Sequence, residues 1–293
     1  MRRFRDSRRW PALLLAGGVL AGCSGFAVAG SPWTTGEPST RQLAIDRVAT
    51  TAAGARADVL RAKLGLPGRV AAVERIEDRF ENRVLDQVTF EDEIGPSALV
   101  ELEPNGRPHL VIALGWRGAK GVAVGRNVAL RLAIAQARAA GFQVAGAPTI
   151  LETAEEWEVV WERRVDGIPV LGDGVRVSLW KDGSFHAIVH WEHDLAPRPA
   201  TIIDAARARE IAAARFAERF GRRDAIAIRS ASLAWVRPND LWDPARPDAP
   251  TPEARLAWLV SGVPGDPDAV TPRQIELWLD AADGSVIGGD LIE

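Results

Sequence analysis

The sequence contains one cysteine (Cys23), one methionine, no tyrosine and only three lysines (Lys63, Lys120 and Lys181) among many arginines. A single cysteine excludes an intramolecular disulfide and a thiolate metal site, so the stability of the folded part must come from core packing. The shortage of lysine and tyrosine, beside abundant alanine, reads as high-GC coding and carries no functional weight. No H-E-x-x-H, G-x-S-x-G or Walker loop occurs, and no Rossmann glycine pattern follows a strand. Zinc-peptidase, serine-hydrolase, nucleotide-hydrolysing and dinucleotide chemistry therefore lack their usual residues. The apolar run from Pro11 to Leu20 is too short to span a bilayer as a permanent helix. What is present is ordinary for a folded chain: 293 residues, 47% hydrophobic and 26% charged, with room for one large core or two to three small ones.

Arg2, Arg3, Arg5, Arg8 and Arg9 precede that apolar run, which is the layout of an export signal. Its end, Leu20-Ala21-Gly22-Cys23, resembles the lipobox of bacterial lipoproteins. The resemblance implies that residues 1–22 are a signal peptide and that the Cys23 thiol takes a diacylglyceryl group, anchoring the chain to a lipid bilayer. It also implies a cell-envelope location, in the outer membrane if the host has two membranes, because Ser24 is not an aspartate. Removing residues 1–22 takes away five arginines and Asp6, leaving 31 basic against 38 acidic side chains and a net charge of −7. That balance argues against nucleic acid or anionic lipid as a partner. Residues 23–39 are rich in Gly, Ser, Pro and Thr and read as a flexible spacer.

Beyond the spacer, three stretches share one plan. In residues 40–118, opened by Ser39-x-x-Gln42, which looks like a capping box, Ile45, Val48, Ala52, Ala55, Val59, Ala62 and Leu66 recur at spacings of three and four as the apolar stripe of a helix ended by Gly65 and Pro67-Gly68. Strand-like runs follow, with an Asn105-Gly106 hairpin tip. In residues 126–196, Asn127 can cap a helix ending at Gly141. Trp157 to Val165 then alternates as a strand with one buried face, Asp166-Gly167 and Gly172-Asp173-Gly174 supply turns, and Lys181-Asp182-Gly183-Ser184 closes a hairpin. In residues 200–293, a helix from Asp204 to Phe220 precedes strands and the turn Asp283-Gly284. The expected architecture is α+β, with repeated units of one helix packed on an antiparallel sheet with a closing β-hairpin.

His186, His190 and His193 would stack on one face of a helix, a spacing that suggests zinc. In a strand His186 and His190 lie about 13 Å apart and His193 points to the other face, so solvent-facing histidines and no metal are expected. Asp240, Asp243 and Asp248 share a proline-rich loop whose spacing does not fit an EF-hand, and they read as turn formers. Trp161 and Trp191 are expected in the core. Trp180 and Trp278 have opposite parity to their apolar neighbours, so each either serves as an outward partner contact or is covered by another repeat. An enzyme would require a titratable cluster in hydrogen-bond reach, such as His190 with Glu192 or Asp194. No catalytic residue, metal or cofactor is expected.

The segment Asp166-Gly167-Ile168-Pro169-Val170, followed by a glycine turn, a strand and the D-G hairpin, resembles the heart of the fungalysin/thermolysin propeptide. The third unit, with DAARAREIAAARFAERFG, ARLAWLV and QIELWLDAADGSVIGG, is similar to a PepSY domain, and the first unit is a looser copy without Gly-Ile-Pro-Val. The resemblance implies a PepSY/propeptide-like fold with cystatin-like layering. In that family propeptide domains assist folding of a peptidase and inhibit it, while the peptidase domain itself is missing here. The expected function is a non-enzymatic envelope lipoprotein that binds another protein, such as a secreted peptidase in trans, as inhibitor or folding helper. The alternative is a structural or small-ligand-binding envelope lipoprotein with no peptidase partner.

Overall fold

The computed structural model describes residues 40–42, 47–78, 83–114, 121–220, 226–239, 253–264 and 274–292. Its first helix, α1 (Arg47–Lys63), buries Ala53, Ala57 and Leu60, with Leu64 just beyond its end, at spacings of four and three, whereas Ala52, Ala55, Val59 and Ala62 of the expected apolar stripe are exposed. It ends where Gly65 takes a left-handed φ of 68° and the Leu66 N–H donates to the Arg61 carbonyl at 3.0 Å. The expected capping box is not its start: Gln42 lies in a short strand, β1 (Thr40–Gln42), paired to β2 (Arg69–Asp78). In α2 (Arg126–Ala139) the N-cap is Gly125, with no side-chain cap, and Asn127 falls inside the first turn instead. Buried Ala129, Ala133 and Ala137 let this helix sit close to the sheet. In α3 (Ala205–Phe220), Asp204 is the cap, its carboxylate accepting the Arg207 N–H at 2.7 Å.

β2, β3 (Arg83–Glu91), β4 (Pro96–Leu102) and β5 (Pro108–Ala113) form an antiparallel meander. Its far edge is extended by β9 (Phe185–Trp191), β8 (Ile168–Trp180), β7 (Glu156–Val165) and β6 (Thr149–Glu152), with Val111 opposite Ile188 across the β5–β9 seam. The remaining strands β11 (Ile226–Val236), β12 (Glu253–Pro264), β13 (Gln274–Asp280) and β14 (Val286–Ile292) are antiparallel neighbours in that order. The fold is thus α+β, mostly antiparallel sheet with three helices. Two junctions are parallel, which the sequence reading did not expect. Trp235 of β11 is in register with Val170 of β8, and β10 (Asp194–Leu195) runs beside the start of β12.

The residues assigned to the first two units share one core. Ala57 and Leu60 of α1 and Ala133 of α2 belong to the same buried cluster as Phe90, Val100, Trp157, Val177 and Ile188. A second cluster joins Ala208, Ala212 and Phe216 of α3 to Val260, Ile275 and Leu277. A third, with Val170, Trp235, Ala254 and Leu256, fills the junction where β8 meets β11 in the continuous sheet.

The Asp166–Val170 segment makes that junction. Asp166 and Gly167 take φ of 51° and 78°, a two-residue turn of the mirror-image type that matches strand twist, and Val165 faces Ile168 across it. Pairing with β7 then slips, from Arg164 opposite Pro169 to Glu162 opposite Gly174. The Gly172-Asp173-Gly174 stretch, expected as a turn, lies within the continuous β8 as an irregular widening. Its bulged residues leave β7, and Val170 is free to meet β11. Gly174 has no alternative: at φ 127°, a Cβ there would lie 2.0 Å from the Trp161 carbonyl oxygen.

Candidate functional site

The β8 widening turns Asp173 inward. Its carboxylate, on a residue only 3% exposed, accepts the His193 backbone N–H at 2.8 Å and Arg163 Nη1 at 2.9 Å, and its other oxygen pairs with His193 Nδ1. Arg163 also donates to the His193 carbonyl at 2.7 Å. Burial pushes the Asp173 carboxyl up, but the hydrogen bonds from the His193 ring and backbone and from Arg163 outweigh it, holding the group below the usual carboxylate range. Arg237, just beyond β11, places Nη1 3.0 Å from His193 Nε2. Guanidinium nitrogens only donate, so this contact is a hydrogen bond when Nε2 carries no proton.

Around this pair lies a packed layer of rings and cations. The Trp191 ring stacks on His193 at 5.9 Å and meets His109 edge-on at 4.4 Å, while Arg83 lies 5.5 Å above it. His190 stacks on Phe142 at 5.0 Å. His190 and His193 are buried and His186 is half-buried, which overturns the expectation that these three face solvent; His109 is buried too. His186 and His190 lie on β9 as expected, whereas His193 falls in the link between β9 and β10, and neighbouring Arg, Trp and Phe side chains cover His190 and His193. Burial and the nearby Arg107 and Arg83 cations, opposed by Glu192, hold His190 down at about 4, so it is neutral at physiological pH. Its Nε2 lies 3.7 Å from Glu192, beyond hydrogen-bond reach, so the acid–base pair proposed for a catalytic reading does not form. Among the described residues no group of three or more His, Cys, Asp or Glu side chains is placed to hold a metal ion.

Two strand edges differ sharply. The outer edge of β14 is closed: the Asn239 backbone N–H donates to the Ile287 carbonyl at 3.0 Å, its amide nitrogen donates to the Gly289 carbonyl at 2.8 Å, and its amide oxygen accepts the Gly289 N–H at 3.0 Å. On β2 the outer edge is covered by β1 only opposite Ile76–Asp78 among the described residues. The segment Arg69 to Ala72 is exposed throughout, with Val70 at 37%. Beside it runs an open groove of about 420 Å³ between α1 and β2, lined by Gly54, Ala55, Asp58, Arg69, Val70 and Val73. Sequence reasoning missed this edge because Arg69–Phe80 reads only as a strand, and nothing in it tells which neighbours the strand will have. A smaller cleft of about 140 Å³ between Arg56, Lys63 and Gly141 is also open to solvent.

The other expected sites fall as follows. Cys23 lies outside the described residues, as do Asp240, Asp243 and Asp248. Trp180 does have the parity expected, yet it is only 6% exposed because His186 stacks over it at 4.1 Å, so its ring offers little surface to a partner. Trp278 is half-buried and its indole N–H donates to Glu276 at 2.9 Å. Trp161 is in the core, whereas Trp191 belongs to the polar layer just described.

No family model matches the chain, and no curated protein does either. Among solved structures, it is similar to the Bacillus megaterium YpeB C-terminal domain at 14% identity, with 82% of this chain and 96% of that one covered and a TM-score of 0.47.

Proposed function

We propose that this chain is a non-enzymatic, lipid-anchored envelope protein of PepSY/propeptide-like type that binds an extended segment of another extracytoplasmic protein along β2. The observation that carries this reading is the contrast between edges. Asn239 closes β14, while among the described residues no strand pairs with the outer edge of Arg69 to Val73, which lies beside an open groove. Unpaired strand edges attract other chains and are commonly blocked; an added strand gains main-chain hydrogen bonds, and a neighbouring groove supplies side-chain selectivity. Repeated helix-on-sheet units, acylation at Cys23, an envelope location and a secreted peptidase as the partner belong to the same proposal. They rest on the lipobox-like and propeptide-like motifs. The non-enzymatic part is supported by the way Asp173 and His193 are spent on contacts that tie β7, β8 and β11 together.

Crosslinking in native membranes, followed by capture through a C-terminal tag on the full chain, tests the reading. A reproducible extracytoplasmic partner should be recovered with the native chain and lost with Val70→Glu, which puts a charge into the groove. Equal recovery with both would remove β2 from the binding surface. A Cys23→Ala chain that still takes up labelled palmitate would overturn the anchor.

A further inference from the structure

The open part of β2 reads nearly the same from both ends. Arg69-Val70-Ala71-Ala72-Val73-Glu74 has a cation at one end, an anion at the other, a valine inside each and two alanines at the centre. Among the described residues neither Arg69 nor Glu74 has an ion-pair partner. The stretch is bounded on both sides: Gly68, at φ 92°, turns the chain before it, and β1 covers the strand from Ile76 onward.

A regular strand could not use this symmetry. Opposed residues of an antiparallel pair share a face and successive residues alternate, so a copy turned about a two-fold axis perpendicular to the sheet would set Val70 against a Val73 on the wrong face. β2 is not regular. Its pairing with β3 steps from Val70 opposite Phe90 to Ala72 opposite Thr89, leaving Ala71 as an extra residue. Both valines consequently face α1: a Cβ at Gly54 would meet Val73 at 3.3 Å and Val70 at 4.0 Å. A bulge on an edge ordinarily rejects an incoming strand. A second copy of this chain brings the same irregularity to the same place, so the two bulges meet at the axis.

We propose that the β2 edge pairs antiparallel with β2 of a second copy of this chain, about a two-fold axis between Ala71 and Ala72. Val70 then lies opposite Val73 of the second copy and Arg69 opposite its Glu74, and the symmetry repeats both contacts. Six paired residues alone are a small interface. Ala55 of α1 lines the groove on the same face, with exposed Ala52 and Val59 beside it, and these add apolar area from both copies. The inference rests on the open edge invoked for partner binding and names what covers that edge in the partner's absence.

Full-length chains carrying two different C-terminal tags, mixed in detergent and captured through one tag, test the pairing by how much of the other tag is recovered. The native chain should capture itself. Arg69→Glu sets Glu against Glu and Glu74→Arg sets Arg against Arg, so each alone should weaken self-capture roughly tenfold, the scale of turning two cross-strand ion pairs into like-charge pairs. Mixing the two variants restores both opposite-charge contacts, so Arg69→Glu should capture Glu74→Arg as well as the native chain captures itself. Circular dichroism matching the native chain shows that both variants fold. A native chain that does not capture itself, self-capture untouched by either variant, or a mixture no better than the variants alone would each overturn the pairing. The readout needs no foreign partner: one recovered by a chain that does not capture itself leaves the β2 binding reading standing and removes this one, and self-capture without a foreign partner does the reverse.

Discussion

Asp173 and His193, twenty residues apart in the chain, form one buried unit in which the carboxylate accepts both the ring Nδ1–H and the backbone N–H of the same histidine. The double contact fixes the direction in which the chain leaves β9, and Arg163 adds a third tie by bonding both partners. Removing one member of such a set leaves a buried charge without its counterpart, which costs far more than the net worth of the intact set.

Asp173→Asn should therefore lower stability by about 3 kcal/mol, seen as a lower urea midpoint with an unchanged slope. The guanidinium of Arg163 would keep only the more distant Glu192 carboxylate, at 3.8 Å, as counter-charge.

Gly174→Ala should be among the most damaging small substitutions. Its Cβ would lie 2.0 Å from the Trp161 carbonyl and 2.9 Å from the Arg163 nitrogen, on a backbone that L-residues rarely adopt. Both groups are main chain, so relief requires β7 and β8 to part. A loss of more than about 3 kcal/mol is expected, and thermal unfolding of the purified protein measures it.

Acid should weaken the fold through His190. Its folded-state value of about 4 lies below that of an exposed histidine, so the folded chain binds fewer protons than the unfolded one. The contribution is complete above about pH 6.5 and is lost progressively as pH falls to about 4, reaching about 3 kcal/mol. His190→Leu should flatten the dependence of the denaturation midpoint on pH across that interval.

Phe216→Ala should cost about 3 to 5 kcal/mol by emptying the second core, since Phe216 is fully buried against Val260 and Ile275 beneath α3. Circular dichroism during denaturation provides the readout. The space beside its ring is already tight, as a Cβ at Gly262 would approach it to 3.1 Å.

Much of the local structure was legible from spacing and punctuation. The positions of α1 and α3, the four-strand meander and the Asp166-Gly167 hairpin follow from periodicity and turn chemistry, which act within a few residues, whereas the buried faces do not: Ala52, Ala55, Val59 and Ala62 of the expected α1 stripe are exposed, and α3 buries Ala208 and Ala212 beside the expected Phe216. The site was far less legible. Whether His190 faces water depends on Phe142 and Arg107, which lie 48 and 83 positions away, and strand parity says nothing about them. Gly172-Asp173-Gly174 looked like a turn because glycines and aspartate favour one. The slip in β7–β8 pairing and the proximity of Trp161 explain those residues instead. Likewise Trp180 has outward parity, and its burial comes from His186 across a hairpin.

The seam between β5 and β9 sets an order on how the chain can complete itself when it is delivered from its N-terminal end. The meander made by residues 69–113 has no far-side partner until Ile188 arrives opposite Val111, some 75 residues later. Until then the apolar face built from Phe90, Val100 and Val111 can be shielded only by α1, since α2 completes its cover and Trp157 and Val177 flank it only after their own strands have emerged. A ribosome that pauses within this interval would hold an open, sticky sheet, so truncations ending between β5 and β9 should aggregate, whereas those ending after Trp191 should retain the first core.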